Sequence, residues 1–170
     1  MRRPTVVDAH TGVSSWTDTM RGMGGFPKTA WNRIDIRQGK AAIRRALGVK
    51  ATQTLTVIRR LRTLEGEPVC LMTNYLPTAL VPGLEVTGFE SESLYEVLQD
   101  RYGLYLAYAD EEVTARDATA AEQKAFAVED QAMLEIRRTT FDAADRPIEY
   151  AILSAPSRRY TYRVRIYATQ

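Results

Sequence analysis

The sequence predicts an α+β fold, a largely antiparallel sheet flanked by helices. Three observations carry that expectation. Strand-like runs come in pairs joined by short turns, 52–63 with 68–75 and 133–141 with 147–154. Helical patterns fall between these pairs rather than alternating strictly with single strands, which is the order of an α+β chain. The segment 46–72 also resembles the segment 125–152. Ile58-Arg59-Arg60 precedes Ile136-Arg137-Arg138 by 78 residues and Pro68 precedes Pro147 by 79, as a duplicated helix–hairpin unit with one extra residue in its second turn, or a chance likeness, would give.

Along the chain, residues 1–13 read as a flexible polar lead-in that contains His10, the sole histidine. Residues 14–25, SSWTDTMRGMGG, suit a short helix. Ser14 or Ser15 sits where a small hydroxyl caps the first turn, and Gly24-Gly25 ends it. A second helix, 39–47, stops at Gly48. The first strand pair turns at Glu65-Gly66-Glu67, and LPTALVPGLE is a proline-punctuated connection. Residues 91–103 make the clearest helix: Ser93 and Glu96 have capping-box spacing, Leu94, Val97 and Leu98 form an apolar stripe, and Gly103 closes it. Strand character returns over 104–117. A helix over 119–128 opens on a second capping box, Thr119 with Glu122. The second strand pair and a last strand, 160–167, complete the chain.

The 170 residues suit one domain, 14–170, with 45% hydrophobic and 26% charged residues. A net charge of +2 gives no long-range attraction toward nucleic acid. Cys70 stands alone, so there is no intrachain disulfide and no paired-cysteine metal site. No apolar run approaches the roughly 20 residues of a membrane span, and the first residues lack the apolar core of a signal peptide. A cytoplasmic protein is expected. There is no glycine-rich phosphate loop, no HExxH, and no histidine placed to serve a nucleophile, so no catalytic residue, metal or cofactor is assigned. Glu111 and Glu112 are adjacent, but strand alternation sends them to opposite faces.

The stretch TVIRRLRTLEGEPVCLMTNYLP, 56–77, carries the best candidate site. Strand alternation puts Ile58, Arg60 and Arg62 on one face and Val57, Arg59 and Leu61 on the other. Two guanidiniums about 7 Å apart along a strand can grip one carboxylate or phosphate, because their planar forks match its oxygens. The same two residues also suit a solvated face paired with Glu65 or Glu67, worth little energetically. The helix start at Ser14, Ser15 and Thr17 is a second candidate, since unpaired amides and short hydroxyls there accept an anion as readily as they cap. Tyr108, Glu112, Thr114 and Arg116 share a strand face further on. On the last strand Tyr160 and Tyr162 lie opposite Arg159, Arg163 and Arg165.

The order of SSWTDTM, RLRTLEGEPVCLMTNYLP, SLYEVLQDRYGL, FDAADRPIEYAILSA and RYTYRVRI resembles the UTRA domain. That domain is the effector-binding and dimerising half of GntR-type transcription regulators of the HutC subgroup, with a chorismate-lyase-like fold. The resemblance runs from about Ser14 to Tyr167. It implies that Arg60 and Arg62 bind the acidic group of a small effector, that Ser15 and Thr17 assist, and that Tyr108, Arg116, Tyr160 and Tyr162 contribute. Met72 stands where relatives carry a glutamate ahead of the tyrosine of YLP, and APSRR replaces a YRGD-like segment; both put contacts from those places in doubt. The resemblance further implies a homodimer. DNA would be bound only through a winged helix-turn-helix domain, for which this chain leaves no room before Ser14. A stand-alone chorismate-lyase-like enzyme and a ligand-free dimerisation module are the alternatives.

Overall fold

The computed structural model describes residues 5–10, 12–129 and 131–168. Its centre is a six-stranded antiparallel sheet in the order β2-β3-β4-β7-β6-β5. The strands are β2 (Pro27–Arg37), β3 (Leu55–Leu64), β4 (Glu67–Pro77), β5 (Tyr108–Asp117), β6 (Ala132–Phe141) and β7 (Pro147–Pro156). The order mirrors itself about the β4–β7 junction: β2-β3-β4 on one side faces β5-β6-β7 on the other. Each half inserts a helix before its hairpin, α2 (Ala41–Ala46) in the first and α5 (Ala120–Phe126) in the second. The duplication visible in the sequence is thus a real structural repeat. Its unequal turns are the two-residue Glu65-Gly66, both at positive φ, and the longer Asp142–Arg146 loop, where the Asp142 carboxylate accepts the amides of Ala144 and Arg146.

Both faces of the central strands are covered. On one, Val57 and Leu55 pack with Ile43 and Leu47 of the α2 region, and Leu61 and Met133 pack with Phe126 of α5. On the other lie α1 (Trp16–Gly22), α3 (Leu84–Thr87) and α4 (Leu94–Tyr102). Ile58, Leu76 and Ile148 meet Leu84, Leu94, Val97 and Leu98 there, while Trp16 and Met20 meet Cys70, Ile136 and Leu153. Period-2 alternation along β3 assigns these layers, and it directs Arg60 and Arg62 toward α1 and α4.

Four local expectations shift. Val6–His10 is a strand, β1, paired in parallel with β8 (Tyr160–Val164), so the segment expected as a lead-in holds regular structure. β8 ends not at 167 but at Val164, which pairs with His10 at the end of β1. β5 begins at Tyr108 and not at Leu104: with Gly103 at φ 64°, the Leu104 amide turns back to the Leu98 carbonyl and closes α4. The 11-residue β2 had no counterpart in the sequence reading. It is an edge strand whose mostly exposed, charge-rich residues give no clean alternation.

Candidate functional site

A small, partly open cavity of about 50 Å³ lies between the sheet and the N-terminal ends of α1 and α4. The sheet contributes Arg60, Met72, Asn74, Ile136, Arg138, Glu149, Ala151 and Leu153, and the helices contribute Ser15, Trp16, Thr17, Leu94 and Tyr95. Register explains the assembly: Arg60 pairs with Met72 across β3–β4, Met72 with Leu153 and Asn74 with Ala151 across β4–β7, so their side chains rise on one face. The two helices meet through their caps. Ser15 accepts the Asp18 amide, Ser93 accepts the Glu96 amide, and the Ser93 hydroxyl donates to Ser15 Oγ at 3.2 Å.

Arg60 is 3% exposed and yet has no carboxylate paired with it among the described residues. Nη2 donates to Asn74 Oδ1 at 3.1 Å, Nη1 reaches the Glu92 carbonyl at 3.4 Å, and the Phe89 ring lies 5.7 Å from the guanidinium carbon. Its Nε has no partner. Burial, followed by the nearby Arg62 charge, pushes its pKa down to about 10 against the opposing pull of Glu149. Arg62 is fully buried and well bonded: Nη1 donates to Thr29 Oγ1 at 2.7 Å and to the Glu92 carbonyl at 3.0 Å, and Nη2 donates to Thr17 Oγ1 at 2.9 Å. The Glu92 carboxylate stands 3.3 Å from Nη1, and the Trp16 ring lies 5.0 Å from the guanidinium carbon.

Beside Arg60 sits a buried carboxylate, Glu149, which accepts from Asn74 Nδ2 at 2.6 Å, Tyr95 OH at 2.9 Å and Thr140 Oγ1 at 3.3 Å. Burial and that neighbouring negative charge keep the Tyr95 phenol well above its ordinary pKa, so it is a neutral donor. Arg138 occupies the place in the second repeat that Arg60 holds in the first. Its Nε donates to Glu111 Oε1 at 2.5 Å and Nη1 to the Ser14 carbonyl at 2.9 Å. Tyr162 donates to the other Glu111 oxygen. Arg138 and Glu111 also line an open groove bounded by Gly12, Val13, Ala109, Val164 and Arg165, so this ion pair forms a wall between cavity and surface.

Of the residues singled out from the sequence, Arg60, Ser15, Thr17 and Met72 line the cavity. Arg62 lies behind it, joined through Thr17. Tyr160 is 3% exposed in the cluster around Trp16, and Tyr162 acts on the wall through Glu111. Arg116 belongs to the opposite face, and Tyr108 stands outside the cavity, at the open groove. Tyr108 stacks on Phe141 and donates to Asp145, while Arg116 clamps Glu122 and Glu135 at 2.6 Å each. Alternation along β5, which turns Glu111 toward the cavity, necessarily turns those two away. Glu149, Asn74, Tyr95 and Glu92 were missed. Arg138 had a signal, its alignment with Arg60 in the internal repeat, and Glu149 had a weaker one as the lone charge in the apolar run PIEYAIL.

Among the described residues five buried polar side-chain atoms lack partners, and three of them are N–H donors of this cluster: Arg60 Nε, Arg62 Nε and Trp16 Nε1. A native fold rarely concentrates orphan donors in one place. The arrangement is that of an α+β ligand-binding module, a donor-rich cavity held between a sheet and two helix starts. The chain belongs to the UTRA domain family, whose profile matches residues 22–161. It is 26% identical over 166 residues to the HTH-type transcriptional regulator Rv0792c of Mycobacterium tuberculosis, a match covering 95% of this chain and 60% of that protein. It is 28% identical over 120 residues to the probable transcriptional regulator PhnF of Escherichia coli, covering 69% of this chain and 49% of PhnF. The chain thus spans about half to three-fifths of the length of these relatives. The effector domain of PhnF from Mycobacterium smegmatis superposes with a TM-score of 0.85 at 20% identity, covering 96% of this chain and all of that one. The ligand-binding domain of a GntR-family regulator from Bordetella bronchiseptica gives 0.74 at 24%, covering 85% and 93%. The α+β fold is therefore that of GntR effector domains. Among the described residues no helix is long and apolar enough to cross a membrane.

Proposed function

We propose that this chain is the sensor part of a HutC-type transcription regulator and that it binds a small acidic metabolite in the cavity beside Arg60. The observation that carries the reading is Arg60 itself: a buried guanidinium with no paired carboxylate among the described residues and an orphan Nε, lining a small cavity. Holding an unneutralised charge in that place costs stability, and a bound acid recovers it. Ser15, Thr17 and Tyr95 add hydroxyl donors, and Glu149 offers an acceptor for a hydroxyl or amine elsewhere on the ligand. The protein acts without catalysis, in the cytoplasm, as a homodimer in which ligand occupancy sets the spacing of two DNA-binding heads on operator half-sites. Those heads belong to a winged helix-turn-helix domain outside this chain. The exposed Val164, Ile166 and Tyr167 suit a subunit contact.

The small cavity favours a second reading, a dimerisation module that takes no ligand. The three orphan donors argue for the first, because a purely structural core has no use for them. Thermal denaturation with a panel of acids (phosphosugars, acylated amino acids, fatty acids) separates the two. A saturable rise in melting temperature that disappears in Arg60→Ala supports the sensor. No rise with any acid, or an equal rise in the variant, leaves the structural module.

A further inference from the structure

The oxygen at the focus of the predicted anion site is supplied by the protein. The Glu92 carbonyl accepts from Thr17 Oγ1 at 2.8 Å, Arg62 Nη1 at 3.0 Å and Arg60 Nη1 at 3.4 Å, so both arginines and the helix-start hydroxyl converge on one atom. The carboxylate of the same residue adds a charge. Its Oε2 stands 3.3 Å from Arg62 Nη1 and accepts from Thr29 Oγ1 at 2.7 Å. We infer that Glu92 is a resident stand-in for the acid group of the ligand, and that the ligand acts by displacing it. This rests on the acid-binding reading above and adds how that binding is turned into movement.

Three further observations agree. Glu92 lies in the strap Gly88–Ser93 that leads from α3 into α4, and its side chain is 24% exposed, so it has somewhere to go. The strap leaves α3 through Gly88 at φ 58°, ψ −158°, a conformation that essentially only glycine holds without strain. Phe89 lies against Arg60 on that strap, so displacing Glu92 and uncovering Arg60 are one motion. The volume points the same way for any acid larger than a small anion. About 50 Å³ of cavity admits a few waters or a small anion, whereas small-molecule sites are commonly several hundred Å³. Glu92 is paired with Arg62 and Glu111 with Arg138, while Glu149 is held by Asn74, Tyr95 and Thr140, so Arg60 alone of the three arginines has no carboxylate paired with it among the described residues. An incoming acid therefore gains most by replacing Glu92, the most solvated of these carboxylates, on its way to Arg60.

Inorganic phosphate is the probe, and Trp16 fluorescence in a Trp31→Phe background reads the site. Glu92→Ala removes the competing carboxylate and loosens the carbonyl, so its phosphate affinity should exceed that of the parent by about tenfold or more. Chymotrypsin cleavage after Phe89 should rise in the parent when phosphate is added and should already be high in Glu92→Ala without it. Equal or weaker phosphate binding by Glu92→Ala overturns the inference, as does phosphate binding that leaves Phe89 protected. If phosphate binds in an Arg60-dependent way yet Phe89 stays protected, only the displacement fails. If neither protein binds phosphate and no acid in the wider panel binds through Arg60, the sensor reading fails with it.

Discussion

Replacing Arg60 by methionine is expected to stabilise the unliganded domain while abolishing its response to acids. The Arg60 pKa is held at about 10 instead of 12.5, chiefly by burial. At 1.36 kcal/mol per unit, that difference disfavours the charged side chain in the folded protein by roughly 3 kcal/mol. Methionine fills much of the same space without the charge, the substitution by which buried ionic groups are most often replaced at no loss. Against the gain stands the lost bond from Nη2 to Asn74 Oδ1, about 1–2 kcal/mol for leaving a buried acceptor bare. Asn74 itself stays anchored through its Nδ2 bond to Glu149. The balance is a stabilisation of about 1–2 kcal/mol, which for a domain of this size raises the melting temperature by about 3–6 °C. Thermal and urea unfolding of both proteins, with and without the best acid from the panel, measures it. A variant that melts more than about 4 °C lower would show Arg60 to be a structural tie, refuting the argument from buried charge. A variant that acids still stabilise would refute the site.

Arg62 should behave in the opposite sense to Arg60: Arg62→Ala strips Thr17, Thr29 and Glu92 of a buried partner and should cost about 3–5 kcal/mol in urea unfolding. Arg116→Ala should destabilise by about 3 kcal/mol without changing acid binding, because it leaves Glu122 buried and unpaired on the far face of the sheet. The Arg116 hydrogen bonds, foremost, hold the Glu122 pKa down to about 2 from 4.5. The folded value lies below the unfolded one, so this contribution is complete above about pH 5 and is lost as pH falls through 2; an acid titration of Glu122→Gln should show a correspondingly flatter limb. Gly39→Ala should cost about 1–3 kcal/mol by melting temperature, since φ is 71° and the added methyl would meet Leu55 Cδ1 at 2.5 Å.

What the sequence disclosed follows from which signals are local. The hairpins, the α5 capping box and the duplication were legible because each rests on neighbouring residues or on a fixed offset; at α4 only the Ser93 half of the expected box forms, since the Glu96 carboxylate turns to Ser91 and Arg21. Period-2 alternation placed Arg60 and Arg62 on one face correctly, and the family resemblance named the class. Their different states were not legible. Both arginines read alike in TVIRRLR, and it is Thr29 of β2, Thr17 of α1 and Glu92 of the strap that give Arg62 its partners and leave Arg60 without a carboxylate. That Tyr108 and Arg116 lie away from the cavity was not legible for a related reason, since alternation says which residues share a face but not which face meets the cavity. Arg138 could have been found by carrying the repeat through to its consequence. Glu149 and Glu92 required contacts across 75 and 30 residues that no local pattern encodes.

The most direct test of the central claim watches the Arg60 guanidinium itself. In a ¹H–¹⁵N spectrum of the arginine Nε–H groups, the Arg60 resonance is assigned by its absence in Arg60→Met, and the acid panel is then titrated in. The account predicts that at least one acid shifts that resonance saturably, with the same affinity that governs the melting-temperature rise. An acid that stabilises the domain while the Arg60 Nε–H signal stays in place would contradict it.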